Sequence, residues 1–238
     1  MIGERLIARE AEVLTLLRTI GPDRAYTLIG GYAVDAYSPL PRYSVDLDAV
    51  IARAELGQFR SILGRSGFEE SEGAWINELE GVETRKFTKP LDSEEVSIDI
   101  LVDGVRCRQT GAVWKVDEVS GAAKVLRVVG VNDSVPARVA SRELLVALKL
   151  HSGRDPDLRD VVMLASEADW AAIQEISLRG SKPRLEGQLK HAIEVIGEDE
   201  FGSRLKAYFG SKQGQDTRIA AAISKLRDLL SEVKSWSD

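Results

Sequence analysis

Two glycines followed at a short remove by two closely spaced carboxylates constrain this chain more than any other feature. Gly30-Gly31-Tyr32-Ala33-Val34 is followed after a short arm by Arg42-Tyr43-Ser44-Val45-Asp46-Leu47-Asp48-Ala49-Val50-Ile51. The β-prone run predicts a strand over residues 44–51. Side chains alternate along a strand, so Ser44, Asp46 and Asp48 project to one side and Val45, Leu47, Ala49 and Ile51 to the other. Two carboxylates side by side above an apolar sheet repel each other unless something cationic intervenes. Mg²⁺ fits, being a hard ion held by one or two carboxylates plus phosphate oxygens. Glycines serve the same end, because a residue without Cβ lets the backbone approach a polyphosphate closely. Gly-Gly alone also suits a plain turn, and Asp-x-Asp alone also suits a solvated edge. The two in this order point to a metal-dependent phosphate site.

The rest of the composition is ordinary. A chain of 238 residues has ample length for one large domain or two small ones, and 44% hydrophobic with 29% charged residues excludes wholesale disorder. No apolar run approaches the roughly 20 residues that span a bilayer. Met1 to Arg9 lacks a signal-peptide pattern, so the expected location is cytoplasmic, with no membrane partner. A single Cys107 excludes an internal disulfide and any multi-cysteine zinc site, and two histidines, His151 and His191, leave little material for a His-based centre.

Net charge is −6, and all of the acidic surplus lies before residue 138, since residues 138–238 hold 16 basic and 16 acidic side chains. An acidic chain is not an obvious nucleic-acid binder. One basic strip, Arg179, Lys182, Arg184 and Lys190, interrupted only by Glu186, reads most simply as a solvated loop and helix face.

Periodicity predicts an amphipathic helix over residues 3–20 closed by Gly21-Pro22, a short buried strand at Tyr26 to Ile29, and a helix from Tyr32 to Tyr37. Pro39 and Pro41 break that helix before the Asp-x-Asp strand. A helix follows at Ala54 to Arg65, then strands at Glu83 to Thr88 and Glu94 to Val102, joined by a turn containing Pro90. In the last of these Val96, Ile98 and Ile100 face the core, leaving Asp99 on the opposite side with Ser97 and Leu101. A carboxylate in so apolar a strand wants a partner, and the Asp46/Asp48 site is the best candidate. Beyond residue 137 the chain is helical, with helices over 141–153, from Pro156, from Asp169, and near 183–196, 198–209 and 215–236. The expected organisation is α/β (α+β), with a small mixed-sheet domain over 1–137 and a helical domain over 138–238.

Gly30-Gly31, Asp46-x-Asp48 and the isolated Asp99 resemble the signature of the nucleotidyltransferase superfamily with a polymerase-β-like core. Arg42 to Asp48 is similar to the AbiEii-type branch of abortive-infection and toxin–antitoxin nucleotidyltransferases. Downstream, Leu144-Leu145, Lys149, Arg154, Asp157 and Asp160 match that branch in order, while Pro156 replaces its usual Lys. The resemblance spans roughly residues 25–165 and implies a nucleotidyltransferase core with a C-terminal helical domain.

It also implies roles. Asp46, Asp48 and Asp99 would hold Mg²⁺, and Asp99 would help deprotonate the attacking hydroxyl. Lys149 and Arg154 would neutralise the triphosphate of an NTP, with Gly30, Gly31, Arg42 and Ser44 lining the nucleotide. Asp157 and Asp160 would orient Lys149 or cap the second helix. The implied acceptor is RNA, tRNA in particular, or a protein hydroxyl, in a toxin-like enzyme with an antitoxin as partner. Two alternatives stand beside it: a non-catalytic nucleotide-binding interaction module, and a nucleotidyltransferase acting on a small molecule such as an antibiotic.

Overall fold

The structure, a computed structural model, describes residues 2–37, 44, 46–71, 75–77, 81–91, 94–209 and 215–236. It forms two compact units. The first comprises Met1–Val105 and Trp114–Ser141, the second Arg106–Val113 and Arg142–Asp238. The second unit thus takes in a segment that precedes residue 137.

The first unit opens with α1 (Ile2–Ile20), β1 (Thr27–Ile29), α2 (Gly30–Asp35) and β2 (Asp46–Ile51). A single 3-10 turn leads to α3 (Leu56–Arg65), then β3 (Glu69–Glu70), β4 (Trp75–Asn77), β5 (Val82–Leu91) and β6 (Glu94–Val102). The chain continues through β7 (Gly104–Arg106), β8 (Val113–Lys115), α4 (Val116–Gly121), β9 (Lys124–Val129) and β10 (Ser134–Val139). The main sheet runs β3-β5-β6-β2-β1-β10-β9, with β4 also on β5, and β7 and β8 pair separately. It is mixed: β2–β6 and β1–β10 are parallel, whereas β1–β2, β5–β6 and β9–β10 are antiparallel.

One face of this sheet is apolar for the period-2 reason the sequence suggests. Leu47, Ala49, Ile51, Val96, Ile98, Ile100 and Phe87 are buried there. Helix α1 contributes Val13, Leu14, Leu16, Leu17 and Ile20, and contacts β6, β10 and α3. It stops at Gly21, whose φ of 76° continues the chain in a left-handed conformation and whose N–H donates to the Leu17 carbonyl. Fully burying a side chain such as Phe59 of α3 contributes about 1.5–3 kcal/mol.

Three local expectations are corrected. Strand β2 begins at Asp46, so Ser44 precedes the ladder. Helix α2 begins at Gly30, so the glycines form its first turn rather than a loop ahead of it. Pro90 is not in a turn: β5 continues through it to Leu91, and Pro90 pairs with Glu95. Among the described residues β3 reaches only Phe87 and Thr88, so at Pro90 the strand has a ladder on one side alone, where a missing N–H is tolerated. The strands and short helix between 104 and 139 had no counterpart in the sequence reading.

The second unit contains α5 (Arg142–Ser152), α6 (Asp155–Ala165), α7 (Trp170–Ser177), α8 (Lys182–Ile196), α9 (Asp199–Phe209) and α10 (Gln215–Ser235). Pro156 sits in the first turn of α6, where its lost N–H has no intrahelical partner to forfeit. No helix among the described residues is long and apolar enough to cross a membrane.

Candidate active site

The candidate site is built on the polar face of the sheet, where β1, β2, β6 and β5 lie side by side. Parallel pairing sets Asp46 opposite Ser97 and Asp48 opposite Asp99. Residues opposite one another share a face, so Asp46, Asp48, Ser97 and Asp99 form one polar block, with Asp48 and Asp99 about 4.8 Å apart at the backbone. Asp46, Asp48 and Asp99 are each half-buried. Ser97, 4% exposed, donates its hydroxyl to Asp46 Oδ1. Val50, on the same face, is covered, and α4 contacts β2.

On the other flank of β2, Ile29 of β1 pairs with Asp48, and the next residue is Gly30. Gly30 has a φ of +68°, and a Cβ built there would lie 2.0 Å from Asp48 Oδ2 and 2.9 Å from its Cγ. The Asp48 carboxylate therefore occupies the space that any other residue at position 30 would fill. The glycine is required twice, by backbone conformation and by the carboxylate above it.

Helix α2 also fixes the start of β2. The Tyr32 hydroxyl donates to the Ser44 carbonyl oxygen at 3.2 Å, and the Ser44 hydroxyl donates to Asp35 Oδ2 at 3.3 Å. Tyr32 and Asp35 are both 2% exposed. Burial, then the nearby carboxylates of Glu10 and Asp35, raise the Tyr32 phenol well above its ordinary value, so it remains a donor. Ser44 is thus held by α2. Arg42, the other expected nucleotide contact before the acidic pair, lies with Tyr43 outside the described residues.

Strand β5 adds what the sequence reading missed. Antiparallel register sets Lys86 opposite Asp99 and Thr88 opposite Ser97, on the same polar face, and Lys86 is exposed. Every β5–β6 pair sums to 185, so a strand carried past Pro90 would have placed Lys86 beside Asp99 from sequence alone.

In the second unit Lys149, Arg154, Asp157 and Asp160 gather where α5 meets α6. Lys149 Nζ lies 2.6 Å from Asp157 Oδ1 and 2.9 Å from Asp160 Oδ2. Asp157 also accepts from Arg154 Nε at 2.7 Å and from the Ser152 hydroxyl at 2.8 Å. Burial alone would lower the Lys149 ammonium, but Asp160 and Asp157 outweigh it and hold it above its ordinary value. Burial likewise pushes Asp157 up, and Arg154 with Lys149 brings it below the usual carboxylate range. Lys149 is nearly buried, whereas the Arg154 side chain is 68% exposed. The basic strip is mostly engaged locally: Arg179 donates to the Val113 carbonyl, Lys182 to that of Trp236, and Lys190 pairs with Glu186.

Among the described residues no three His, Cys, Asp or Glu side chains form a preassembled metal cage. The donor set nevertheless suits a hard divalent cation. Mg²⁺ sites ordinarily combine one or two carboxylates with substrate phosphates rather than an all-protein cage. The glycine beneath Asp48 leaves that carboxylate its place on the polar face.

No protein-family profile matches this chain, and no curated protein matches it in sequence. Solved structures do match in shape. A protein from H. pylori, provisionally assigned as a nucleotidyltransferase, aligns over 99% of both chains at a TM-score of 0.51 and 16% identity. JHP933 from Helicobacter pylori aligns over 98% of this chain and 94% of its own, at a TM-score of 0.51 and 15% identity. The lincosamide antibiotic adenylyltransferase LnuA, solved with lincomycin bound, covers 68% of this chain and 97% of its own. Its TM-score of 0.41 and 16% identity are too loose to bear on substrate. The chain has a nucleotidyltransferase-like fold: a mixed-sheet core followed by helices.

Proposed function

We propose that this chain is a magnesium-dependent nucleotidyltransferase that moves a nucleoside monophosphate from an NTP to an acceptor hydroxyl. The observation that carries this is the Asp48 carboxylate seated over Gly30 and in register with Asp99 across β2 and β6. Sheet packing asks for none of these three residues, whereas phosphoryl chemistry uses all of them.

Asp46, Asp48 and Asp99 would hold Mg²⁺ together with the NTP phosphates. Bound there, the cation supplies neutralisation of the charge on the phosphoryl oxygens. The chain's own residues do the rest. Ser97 fixes the Asp46 carboxylate, and Gly30 leaves room for the Asp48 carboxylate. Helix α2 is short, so the glycines contribute space more than a macrodipole. The acceptor oxygen bonds to the α-phosphorus, the bond from that phosphorus to its bridging oxygen breaks, and pyrophosphate leaves with the electron pair. The acceptor proton passes to an Asp99 carboxylate oxygen. Gly31, Arg42, Ser44, Lys149 and Arg154 enter as nucleotide contacts through the AbiEii-type resemblance. That resemblance extends the proposal to a toxin-like cytoplasmic enzyme acting on RNA, tRNA in particular, or on protein, with an antitoxin partner.

The test is incubation of the purified chain with each α-labelled NTP, Mg²⁺, total RNA and total protein. Label should enter one macromolecule, require Mg²⁺, and fall by at least about a thousandfold in Asp48→Asn, as expected when a group acting in a catalytic unit is removed. Saturable nucleotide binding without transfer to any acceptor would instead assign a non-catalytic binding module, and transfer only to an added antibiotic would assign a small-molecule enzyme.

A further inference from the structure

We propose that Lys86 binds a phosphodiester of the acceptor, and hence that the acceptor is the end of a polynucleotide strand; this rests on the nucleotidyltransferase reading above. Gly30, next after β1, adjoins Asp48 of β2 on one side, whereas Asp99 of β6 and then Lys86 of β5 follow on the other, so the four come in that order across the sheet. Lys86 lies about 10 Å from Asp48 at the backbone, two strand spacings away.

In-line displacement places attacking and leaving oxygens on opposite sides of the phosphorus. With the triphosphate at the glycine turn, the acceptor approaches from the Asp99 side, where Lys86 is the next residue. Lys86 is exposed, and Thr84 and Thr88 flank it on the same face. An ammonium between two hydroxyls suits a phosphate oxygen, the group most often contacted in nucleic-acid complexes. A neutral antibiotic has no anion to offer there, and a serine in a protein offers one only through a neighbouring acidic side chain. A terminal hydroxyl flanked by a phosphodiester has one.

The competing role for Lys86 is a cross-strand ion pair with Asp99, worth about 0.2–1 kcal/mol of stability. The two roles separate in kinetics. With matched RNA and DNA 12-mers as acceptors, Lys86→Gln should raise the acceptor KM by about 10- to 100-fold, the range for losing a hydrogen bond to a charged group. The KM for NTP should stay within about twofold, and Lys86→Arg should restore most of the acceptor affinity. Whichever 12-mer accepts label identifies the sugar. An unchanged acceptor KM, a raised KM for NTP alone, or transfer confined to protein or a small molecule would overturn the proposal. A salt titration tests it without turnover. The slope of log Kd against log salt for a fluorescent 12-mer should become shallower by about 0.7 in Lys86→Gln, and an unchanged slope would refute the contact. Loss of transfer in Asp48→Asn reports on the nucleotidyltransferase reading and is independent of both Lys86 outcomes.

Discussion

Replacing Gly30 with alanine should separate stability from activity, because its two consequences fall on different parts of the molecule. The backbone at Gly30 has a φ of +68°, where a residue with a Cβ costs about 1–2 kcal/mol. Alanine also restricts the unfolded chain, which returns about 0.4–1 kcal/mol, so the net loss is about 1 kcal/mol. The new Cβ would stand 2.0 Å from Asp48 Oδ2, but that atom is the tip of a side chain able to rotate away. Relief of the clash therefore displaces the carboxylate instead of unfolding the sheet. A misplacement of about 1 Å in a positioned group lowers rate by roughly a hundredfold. Gly30→Ala should then lose about 1 kcal/mol in urea unfolding and at least about 100-fold in kcat/KM for label transfer. Gly57→Ala is the control, since nothing lies within 4 Å of a Cβ in that exposed position of α3, and it should gain about 0.5–1 kcal/mol. Transfer by Gly30→Ala within about threefold of the wild type would refute the claim that Asp48 acts from above Gly30. A loss above about 4 kcal/mol would show that the glycine serves the fold first.

Two further outcomes follow from buried charge. Lys149→Met should destabilise by about 3–5 kcal/mol in urea unfolding, since it strips the cation from Asp157 and Asp160, which are 1% and 3% exposed. Asp157 sits below the usual carboxylate range, so its contribution is present at neutral pH and lost as pH falls through and below about 4; Lys149 sits above its ordinary value, so its contribution holds below about 10.5 and is lost as pH rises through the elevated pKa. Lys149→Met should accordingly abolish the alkaline loss, and an unchanged alkaline arm would show that another group controls it. His151 is fully buried, donates from Nε2 to the Ser177 carbonyl and accepts from Thr110 at Nδ1, and burial lowers it to about 4. Its neutral form stabilises the fold above the unfolded value of about 6.5, and that stability is lost as pH falls toward 4. Unfolding at pH 5 should be about 2 kcal/mol easier than at pH 7 on this account, and His151→Gln should erase most of that difference.

The sequence revealed those parts of the fold governed by a single period. Helix α1, α3, strand β6 and the helices from residue 142 onward all carry their apolar stripes openly. It did not reveal β9, where Val128 alone is buried, nor β10, whose alternating Val135, Ala137 and Val139 are interrupted by Pro136, nor the membership of 106–113 in the second unit. The resemblance had Asp157 and Asp160 orienting Lys149 or capping the second helix, and both carboxylates meet its ammonium where α5 and α6 fold together. Lys86 was lost to one local rule. Proline is a good turn residue, and assigning Pro90 to a turn shortened β5 and hid the register that sets Lys86 against Asp99. Tyr32 escaped for a related reason: its hydroxyl bonds a backbone carbonyl, and no side-chain pattern predicts such a partner.

The polar face of the sheet carries features that a sheet selected for stability alone would lack. Like charges opposite one another, as at Asp48 and Asp99, are destabilising by about 0.2–1 kcal/mol. Ser97 occupies a buried position in mid-strand where its neighbours Val96 and Ile98 show that valine or isoleucine is tolerated on the other face. Gly30 surrenders backbone entropy at the start of α2. Each of these costs falls on one side of β1, β2 and β6, while the reverse side is packed without interruption by Leu47, Ala49, Ile51, Ile98 and Ile100. A strand's period of two keeps the sides independent, so the apolar face can carry the stability of the domain while the polar face concentrates charge. Stability sacrificed at several residues in neighbouring register pairs on one face, as at Asp46 with Ser97 and Asp48 with Asp99, is what the proposed site for a multiply charged substrate would require.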